Sequence, residues 1–329
     1  MKVLITGGTG FIGSRLALRC LQIGDSVTVF GQENTAAEVA NRRLVEARGA
    51  EVVLGSVTDR ERMFALARGM DLIYHLAAAQ HEANVPDQRF WDVNATGTRN
   101  LLEASIDAGV KRVIHGSTIG VYGSGLAGQL DEQSPVKPDN IYGITKLAGE
   151  KLVASYQELI PVVIIRISET YGPGDQRLLK LFKAIQKKLF FMIGDGRNIH
   201  HPIYIDDLVD GLLLAATVEK AAGNLFVLAG KEPITTNDMV AVIARQLGLR
   251  LWPFRLPLAP FLGVAGLMEA VLRPLGIQPP LHRRRMDFFK KSFLFSLKHS
   301  EQILGFAPKV GFELGIADTA KWQRQMGYL

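Results

Sequence analysis

Short runs of apolar residues alternate with longer amphipathic stretches through the first half of the chain. Six runs have the length and β-branched content of buried strands, at residues 3–5, 27–30, 52–54, 72–76, 113–114 and 162–165. Between them, residues 10–23, 59–68 and 94–108 carry the apolar spacing of amphipathic helices. This alternation predicts an α/β protein with a Rossmann-type, doubly wound parallel sheet covered by helices on both faces.

The rhythm changes after about residue 168, where the loops become longer and richer in glycine and proline. Alternating character returns at about residues 203–230. We therefore expect a dinucleotide-binding Rossmann domain at residues 1–167, to which the later segment returns, and a smaller C-terminal, mainly substrate-binding lobe at residues 168–329. Ligands of such sheets bind at the carboxyl ends of the strands.

The first predicted strand runs directly into a glycine-rich turn at the start of a helix. Gly8, Gly10 and Gly13 have the G-x-G-x-x-G spacing in the strand–turn–helix context typical of dinucleotide binding. Glycines let the backbone approach a pyrophosphate closely, and the helix N-terminus supplies free N–H groups and a partial positive charge. The pattern predicts a dinucleotide cofactor.

The end of the second strand bears on the choice between NAD and NADP. The acidic residue that usually follows this strand is missing. Gln32 or Glu33 would bind the ribose hydroxyls and favour NAD, whereas Arg42 or Arg43 would reach a 2′-phosphate and favour NADP. An exposed helix face is the simpler interpretation of both arginines, so NAD is the expected cofactor and NADP the alternative.

Tyr142 and Lys146 lie four residues apart at the start of a predicted helix, so they share one helix face. An ammonium group one turn from a tyrosine favours the phenolate and lowers a pKa that is ordinarily about 10. Tyr142 is therefore a candidate base for the proton of a substrate hydroxyl. Thr118 ends a predicted strand, where its hydroxyl reaches the ligand crevice and can stabilise a developing oxyanion.

These segments together resemble the extended short-chain dehydrogenase/reductase family, in particular its NAD-dependent epimerase/dehydratase group. The resemblance covers nearly the whole chain. It is carried by residues 6–13, 76–78, 94–98, 116–118, 121–123, 171–174, 204–207 and 304–308, with Arg166 and Trp322. It implies an enzyme that moves a hydride between a nicotinamide and a secondary carbinol carbon.

The resemblance also implies a role for each matching residue. Tyr142 would be the acid/base, Lys146 would hold the nicotinamide ribose, and Thr118 would bind the reacting oxygen of the substrate. Besides Tyr142 and Lys146, the implied cofactor-binding residues are Gly7, Gly10, Phe11, Ile12, Gly13, Gln32, Ser56, Val57, Leu76, Ala77, Ala78 and Asn94.

Two departures from the family pattern affect what the chain is expected to do. Ser56 stands where an adenine-binding aspartate is usual, and its shorter hydroxyl weakens the expected adenine contact. Ile119 and Gly120 follow Thr118 where the similar sugar-nucleotide 4,6-dehydratases carry an Asp-Glu pair. Neither residue can act as an acid or a base, so the sequence counts against 4,6-dehydration.

Three functions of different classes remain. The first is a nucleotide-sugar epimerase, similar to UDP-sugar 4-epimerases, in which Arg285 would bind the nucleotide diphosphate. The second is a dehydrogenase of a hydrophobic alcohol, like the 3β-hydroxysteroid dehydrogenase branch, favoured by the apolar, proline-marked residues 256–275. The third is a non-catalytic dinucleotide-binding regulator, which the presence of Thr118, Tyr142 and Lys146 disfavours.

Composition and charge limit the expected ligands and the expected cellular location. The 329 residues carry a net charge of +6, with the excess near residues 282–285, which suits anionic ligands. The sequence has no basic stripe with interleaved aromatics, so nucleic-acid binding is not expected. The longest apolar stretch, residues 256–268, is too short to span a bilayer and is expected to form an interdomain helix, with membrane-surface or lipid-substrate contact as the alternative.

Cys20, the single cysteine, permits no internal disulfide and no cysteine metal site, and we expect a cytoplasmic protein without a metal. The family resemblance favours a homodimer through helices at residues 94–108 and 142–157.

Overall fold

The fold is built on one parallel sheet to which the first half of the chain contributes most strands. The computed structural model describes residues 1–80, 85–124, 126, 128–272 and 283–329, without the side chains of Glu269 and residues 283–285. The strands within these ranges are β1 Lys2–Thr6, β2 Ser26–Gly31, β3 Glu51–Leu54, β4 Leu72–His75, β5 Arg112–Thr118, β6 Val162–Ile167, β7 Thr170–Tyr171, β8 Met192–Ile193, β9 Ile199–His200, β10 Ile203–Tyr204, β11 Leu225–Leu228, β12 Ile234–Thr235 and β13 Arg255–Leu256.

Helices connect most of these strands. The α-helices within the same ranges are α1 Phe11–Gln22, α2 Ala36–Glu46, α3 Arg60–Ala67, α4 Asp87–Trp91, α5 Gly97–Asp107, α6 Ile141–Ser155, α7 Gln176–Gln186, α8 Ile205–Thr217, α9 Thr236–Gln246, α10 Leu258–Leu272, α11 Arg283–Lys290, α12 Lys298–Leu304 and α13 Phe312–Gln325. A π-helical turn at Asp92–Thr96 leads into α5, and 3₁₀ turns occupy Ile119–Tyr122 and Glu219–Ala221.

The strand order places a crevice at the carboxyl end of β1. In the described chain the main sheet has seven strands in the order β11-β6-β5-β4-β1-β2-β3, and every neighbouring pair is parallel. From β1 the chain proceeds to β2 and β3 on one side, and to β4, β5 and β6 on the other. Ligands of doubly wound sheets bind where the order reverses. The predicted Rossmann-type α/β fold is confirmed.

Alternation along β1 explains why its sequence is continuously apolar. Val3 and Ile5 pack into the core on one face of the sheet, together with Leu16 of α1. Leu4 points to the opposite face and packs with Leu101 of α5. A strand covered on both faces needs apolar side chains in both directions. The core on the α1 side also contains Cys20, a buried packing residue whose thiol has its pKa raised to about 12 by burial.

The second half of the chain adds short strand pairs outside the main sheet. β7 pairs with β10, β9 with β12, and β8 with β13, while β11 returns to the main sheet beside β6. α10 packs against α11 next to the β8–β13 pair. Within the described ranges, no helix is long and apolar enough to cross a membrane.

Candidate active site

A cavity of about 590 Å³ opens at the carboxyl ends of β1, β2, β4, β5 and β6. It lies where the strand order of the sheet reverses, as expected for a ligand site in this fold. Most of the residues that the sequence predicts for the site line this one cavity: Gly7, Gly10, Phe11, Ile12, Gly13, Gln32, Ser56, Val57, Leu76, Ala77, Ala78, Thr118 and Tyr142.

The glycine-rich turn leaves room that a side chain would fill. Gly7 has φ +70°, and a Cβ there would lie 2.7 Å from the backbone nitrogen of Ala77. A Cβ on Gly13 would lie 2.3 Å from the carbonyl oxygen of Gly7, so the helix can approach the turn only because Gly13 has none. The backbone N–H of Gly10 donates to the Gly7 carbonyl at 3.0 Å and closes the turn.

The start of α1 fits the pyrophosphate of a dinucleotide. Its first turn carries no acidic residue, and no side chain caps it, since Gly10 stands at the N-cap. The first N–H groups of a helix have no partners within the helix, and they carry the positive end of the helix dipole. An anion in the cavity would therefore meet backbone donors without competition from a carboxylate.

Gln32 is held at the end of β2 by its neighbours. The hydroxyl of Thr9 donates to the Gln32 carbonyl oxygen at 2.8 Å, and the Asn34 amide donates to Gln32 Oε1 at 3.1 Å. All three residues line the cavity. The Ser56 hydroxyl, farther along this wall, shares a hydrogen bond of 2.8 Å with the Thr58 hydroxyl, so its expected adenine contact would compete with that bond.

Charges at this end of the cavity favour NAD over NADP. The carboxylate of Glu38 lines the cavity and accepts from the Asn34 N–H at 2.8 Å. Arg42 is turned to Glu33 instead, with Nε 2.7 Å from Oε1 as a charge pair without the alignment of a hydrogen bond. Arg43 is exposed and lies outside the cavity lining. A 2′-phosphate here would meet a carboxylate rather than an arginine fork.

Tight packing brings Tyr142 towards Thr118. α6 begins beside Asn140, whose Oδ1 accepts from the Gly143 N–H at 3.0 Å. A Cβ on Gly143 would lie 2.7 Å from the carbonyl oxygen of Gly120, so α6 is close against the turn that follows Thr118. The Thr118 hydroxyl oxygen accepts from the Gly120 N–H at 3.1 Å, which caps that turn and leaves the hydroxyl proton for another partner.

Lys146 lies one helical turn behind Tyr142 and is buried, with 1% of its surface exposed. It is not among the cavity-lining residues. Burial lowers the pKa of its ammonium group to about 8, although the carboxylate of Glu150 acts in the opposite direction. A charge one helical turn from Tyr142 in a dry environment acts strongly on a phenolate.

Glu150, the next residue on the same face of α6, anchors a buried polar network. Arg166 donates to its carboxylate from Nε at 3.1 Å and from Nη2 at 2.8 Å. The Ser117 hydroxyl donates to Glu150 Oε1 at 2.5 Å, and Arg166 Nη1 donates to the Tyr122 hydroxyl at 3.0 Å. This network joins β5, β6 and α6 beneath the cavity, so it fixes the helix that carries Tyr142.

Asn94 is buried and does not line the cavity. Its Oδ1 accepts from the Ala79 N–H at 2.9 Å, while its Nδ2 donates to the Ala79 carbonyl at 3.1 Å and to the Thr145 hydroxyl at 3.0 Å. The side chain therefore ties the loop after β4 to α6. Its geometry supports the position of Ala77 and Ala78 in the cavity wall rather than a direct contact with a ligand.

Glu169 is a cavity residue that the sequence patterns do not reveal. It follows β6, lines the cavity, and has 39% of its side chain exposed. His200 Nδ1 lies 2.9 Å from its Oε2, and His200 Nε2 lies 3.0 Å from the Thr236 hydroxyl. Burial acts to lower the pKa of His200, but the carboxylate outweighs it and the pKa is raised. Burial acts to raise the pKa of Glu169, but His200 outweighs it and the pKa is lowered.

His200 and His201 are both buried. His200 is the last residue of β9, and His201 lies in the short segment between β9 and β10. His201 Nε2 lies 2.9 Å from the carbonyl oxygen of Gly230. In the described part of the chain, no group of three or more potential metal ligands is assembled.

A profile of the NAD dependent epimerase/dehydratase family matches residues 3–229, which include the glycine turn, Thr118, Tyr142 and Lys146. The chain belongs to this family. The family confirms the expected resemblance, the assignment as an enzyme of the extended short-chain dehydrogenase/reductase type, and NAD as the cofactor.

Individual relatives differ in their chemistry. The chain is similar to the NAD-bound structure of UDP-glucuronic acid 4-epimerase from Bacillus cereus, at 25% identity and a TM-score of 0.81 over 99% of both chains. It is also similar to dTDP-glucose 4,6-dehydratase from Streptomyces venezuelae, at 28% identity and a TM-score of 0.81, covering 99% of this chain and 97% of that one. A 3β-hydroxysteroid-dehydrogenase/decarboxylase of Arabidopsis thaliana is 28% identical over 96% of this chain and 61% of its own length.

Arg285 lies in α11, but its side chain is outside the described residues. Its expected contact with a nucleotide diphosphate therefore stays a prediction. Arg177, which lines the cavity, is a further site residue that the sequence patterns do not reveal; its Nε lies 3.4 Å from Asp175 Oδ1. It lies in the first turn of α7, where a single arginine gives no signal of the direction in which its side chain points.

Proposed function

We propose that this enzyme oxidises a secondary alcohol of a nucleotide sugar and re-reduces the ketone on its other face, as a 4-epimerase does. The observation that carries the proposal is the meeting of Thr118 and Tyr142 in the same cavity as the glycine turn, with Lys146 buried one helical turn behind. This arrangement supports proton removal and hydride transfer at one carbon.

The proposed mechanism assigns one task to each side chain. Tyr142 accepts the proton of the substrate hydroxyl at its phenolic oxygen, and Lys146 favours the phenolate through its charge. The Thr118 hydroxyl donates to the substrate oxygen and stabilises it as the carbonyl forms. NAD, when bound on the glycine turn, supplies the acceptor for the hydride. Once the ketone has been re-reduced on its opposite face, Tyr142 would return the proton to the substrate oxygen, which leaves the carbon inverted.

Epimerisation is favoured over 4,6-dehydration by the residues beside Thr118. Ile119 is buried and apolar, and Gly120 has no side chain. Elimination of water needs a further acid and base near the sugar, and neither position offers one.

The decisive experiment combines cofactor content with turnover of defined substrates. The purified enzyme is denatured and the released dinucleotide identified by mass spectrometry, and UDP-glucuronic acid and UDP-glucose are then tested for conversion to their 4-epimers. Retained NAD together with epimer formation supports the proposal. An enzyme that purifies empty, leaves both sugars unchanged and reduces added NAD with another alcohol would refute it.

Substitution of Tyr142 tests the catalytic assignment. Tyr142→Phe should reduce turnover by roughly 10²–10⁴-fold, the usual contribution of a general acid–base residue, because the ring remains but the proton acceptor is lost. NAD binding, measured by fluorescence titration, should stay nearly unchanged. Turnover within tenfold of the wild type would remove Tyr142 from this role.

A second function, oxidation of a hydrophobic secondary alcohol, is favoured by one specific observation. α10 exposes apolar residues near the C-terminal part of the chain, and a hydroxysteroid dehydrogenase is among the similar proteins. The same catalytic residues would serve, but the NADH formed would be released. Steady accumulation of NADH with a sterol alcohol, without any epimerase activity, would establish this alternative.

We also propose a homodimer through α5 and α6, the helices expected to pair. α6 exposes Ile144, and α5 exposes Ile106. Light scattering of the purified protein tests the proposal, with a doubled mass expected. A monomer at all concentrations would contradict it.

A further inference from the structure

The outward face of α10 is apolar, which is the reverse of a normal surface helix. Val264, Leu267 and Val271 are exposed on this helix, at spacings of three and four residues that put them on one face. Leu267 alone has 66% of its surface exposed. On the inward side, Ala265 packs against Ile193 in a small separate core. The helix therefore has apolar residues on both of these sides.

A second group of exposed apolar residues lies on neighbouring segments. Leu189, Phe191, Trp252 and Phe254 are all exposed, Phe254 to 66%. Hydrogen bonds tie the two segments together: β13 pairs with β8 immediately after Phe254 and Phe191, and the indole N–H of Trp252 donates to the Lys188 carbonyl at 3.0 Å. These large side chains are therefore presented to solvent side by side.

The two groups belong to one surface. The ring of Phe191 lies 6.3 Å from that of Phe261, which belongs to α10, and the rings of Trp252 and Phe254 lie 6.4 Å apart. We call this surface the apolar face, formed by Leu189, Phe191, Trp252, Phe254, Val264, Leu267 and Val271. A connected cluster of this kind on a water-facing surface marks an interaction site.

Basic residues adjoin the apolar face. Lys187, Lys188, Arg250 and Arg255 are exposed and are sequence neighbours of its aromatic residues. Arg255 donates to the backbone carbonyl of Asp195 at 2.8 Å, and no ion pair within the described residues involves any of these four cations. The apolar face thus has an exposed, positively charged border.

We propose that the apolar face docks this enzyme onto the surface of an anionic lipid bilayer. Tryptophan, phenylalanine and leucine insert at the boundary between headgroups and acyl chains, while lysine and arginine bind the anionic headgroups. A second copy of the chain is a poorer occupant, because a two-fold contact would bring the two cationic borders together. Docking of this kind needs no spanning helix and is independent of the function proposed for the cavity.

Vesicle flotation of the full chain tests the proposal. We expect binding to vesicles of phosphatidylcholine and phosphatidylglycerol in equal amounts, much weaker binding to pure phosphatidylcholine, and a decrease as salt screens the headgroup charges. Leu267→Ser and Phe254→Ser should each weaken partitioning by about tenfold, since each removes a large apolar side chain from the inserted face. Thermal melting should show that both variants stay folded, because both positions are exposed.

Leu159→Ser is the matched control. Leu159 is exposed to 67%, like Leu267, but it lies in the turn between α6 and β6, away from the elements of the apolar face. This variant should bind vesicles as the wild type does. Absence of wild-type binding, or equal losses in Leu267→Ser and Leu159→Ser, would overturn the proposal. Concentration-dependent dimerisation that Leu267→Ser abolishes, without vesicle binding, would assign the face to a second copy instead.

Discussion

Replacement of Glu150 by glutamine should destabilise the enzyme strongly, although the change is nearly isosteric. The Glu150 and Arg166 side chains are 4% and 5% exposed, and the carboxylate accepts from the guanidinium and from the Ser117 hydroxyl. The amide cannot neutralise Arg166, which would remain buried without a counter-charge. Breaking a buried pair in this way costs about 3–5 kcal/mol of unfolding free energy.

Urea unfolding followed by circular dichroism measures this loss. Glu313→Gln is the control, because it breaks the exposed pair with Arg245 and should change stability by no more than about 1 kcal/mol. The double substitution Glu150→Leu and Arg166→Met should recover much of the stability lost in Glu150→Gln, since it removes both charges together. Equal stabilities for Glu150→Gln and Glu313→Gln would refute the reasoning.

The same substitution should also change the pH dependence of catalysis. Glu150 raises the pKa of Lys146 against the larger effect of burial. Its removal should therefore lower the pKa of Lys146, and the alkaline limb of the kcat/KM profile should move to lower pH. A purely structural role for Glu150 would reduce the amount of folded enzyme without moving this limb, so the profile separates the two effects.

Two further predictions concern the alkaline limb of the wild-type pH–activity profile and the glycine turn. Since Lys146 has a pKa of about 8, it is protonated below that pH and neutral above it. Activity that depends on its charge should therefore decline above about pH 8. A pH–activity profile that stays flat to about pH 10, near the usual lysine pKa, would contradict this. Gly13→Ala should weaken NAD binding by about tenfold or more, because its Cβ would lie 2.3 Å from the Gly7 carbonyl oxygen and displace the turn from the phosphates. Gly263→Ala, where a Cβ meets open space, is the control in fluorescence titrations, and equal affinities would refute the steric argument.

The fold and part of the candidate site could be predicted because their signals are local. Every buried parallel strand needs apolar residues on both faces, as Val3, Leu4 and Ile5 illustrate in the structure. The demand for glycine at Gly13 is equally local, since a Cβ there would meet the carbonyl oxygen of Gly7 six residues earlier. Tyr142 and Lys146 share a helix face by their spacing alone.

Other features could not be predicted because they depend on contacts between distant segments. Glu169 and His200 are 31 residues apart and meet only when the segment after β6 passes beside β9. Asn94 matches a cofactor motif, yet its bonds to Ala79 and Thr145 turn it away from the cavity.

The apolar segment after residue 256 shows the same division between sequence and structure. Its composition by itself indicates a helix that avoids water and is too short to span a membrane. The pairing of β13 with β8 and the packing of Ala265 on Ile193 decide which side of that helix packs inward. They also decide which side stays exposed beside Trp252 and Phe254. The sequence determined that apolar surface exists here; only the tertiary structure determined how much of it remains for a partner, because burial depends on what the rest of the chain brings against it.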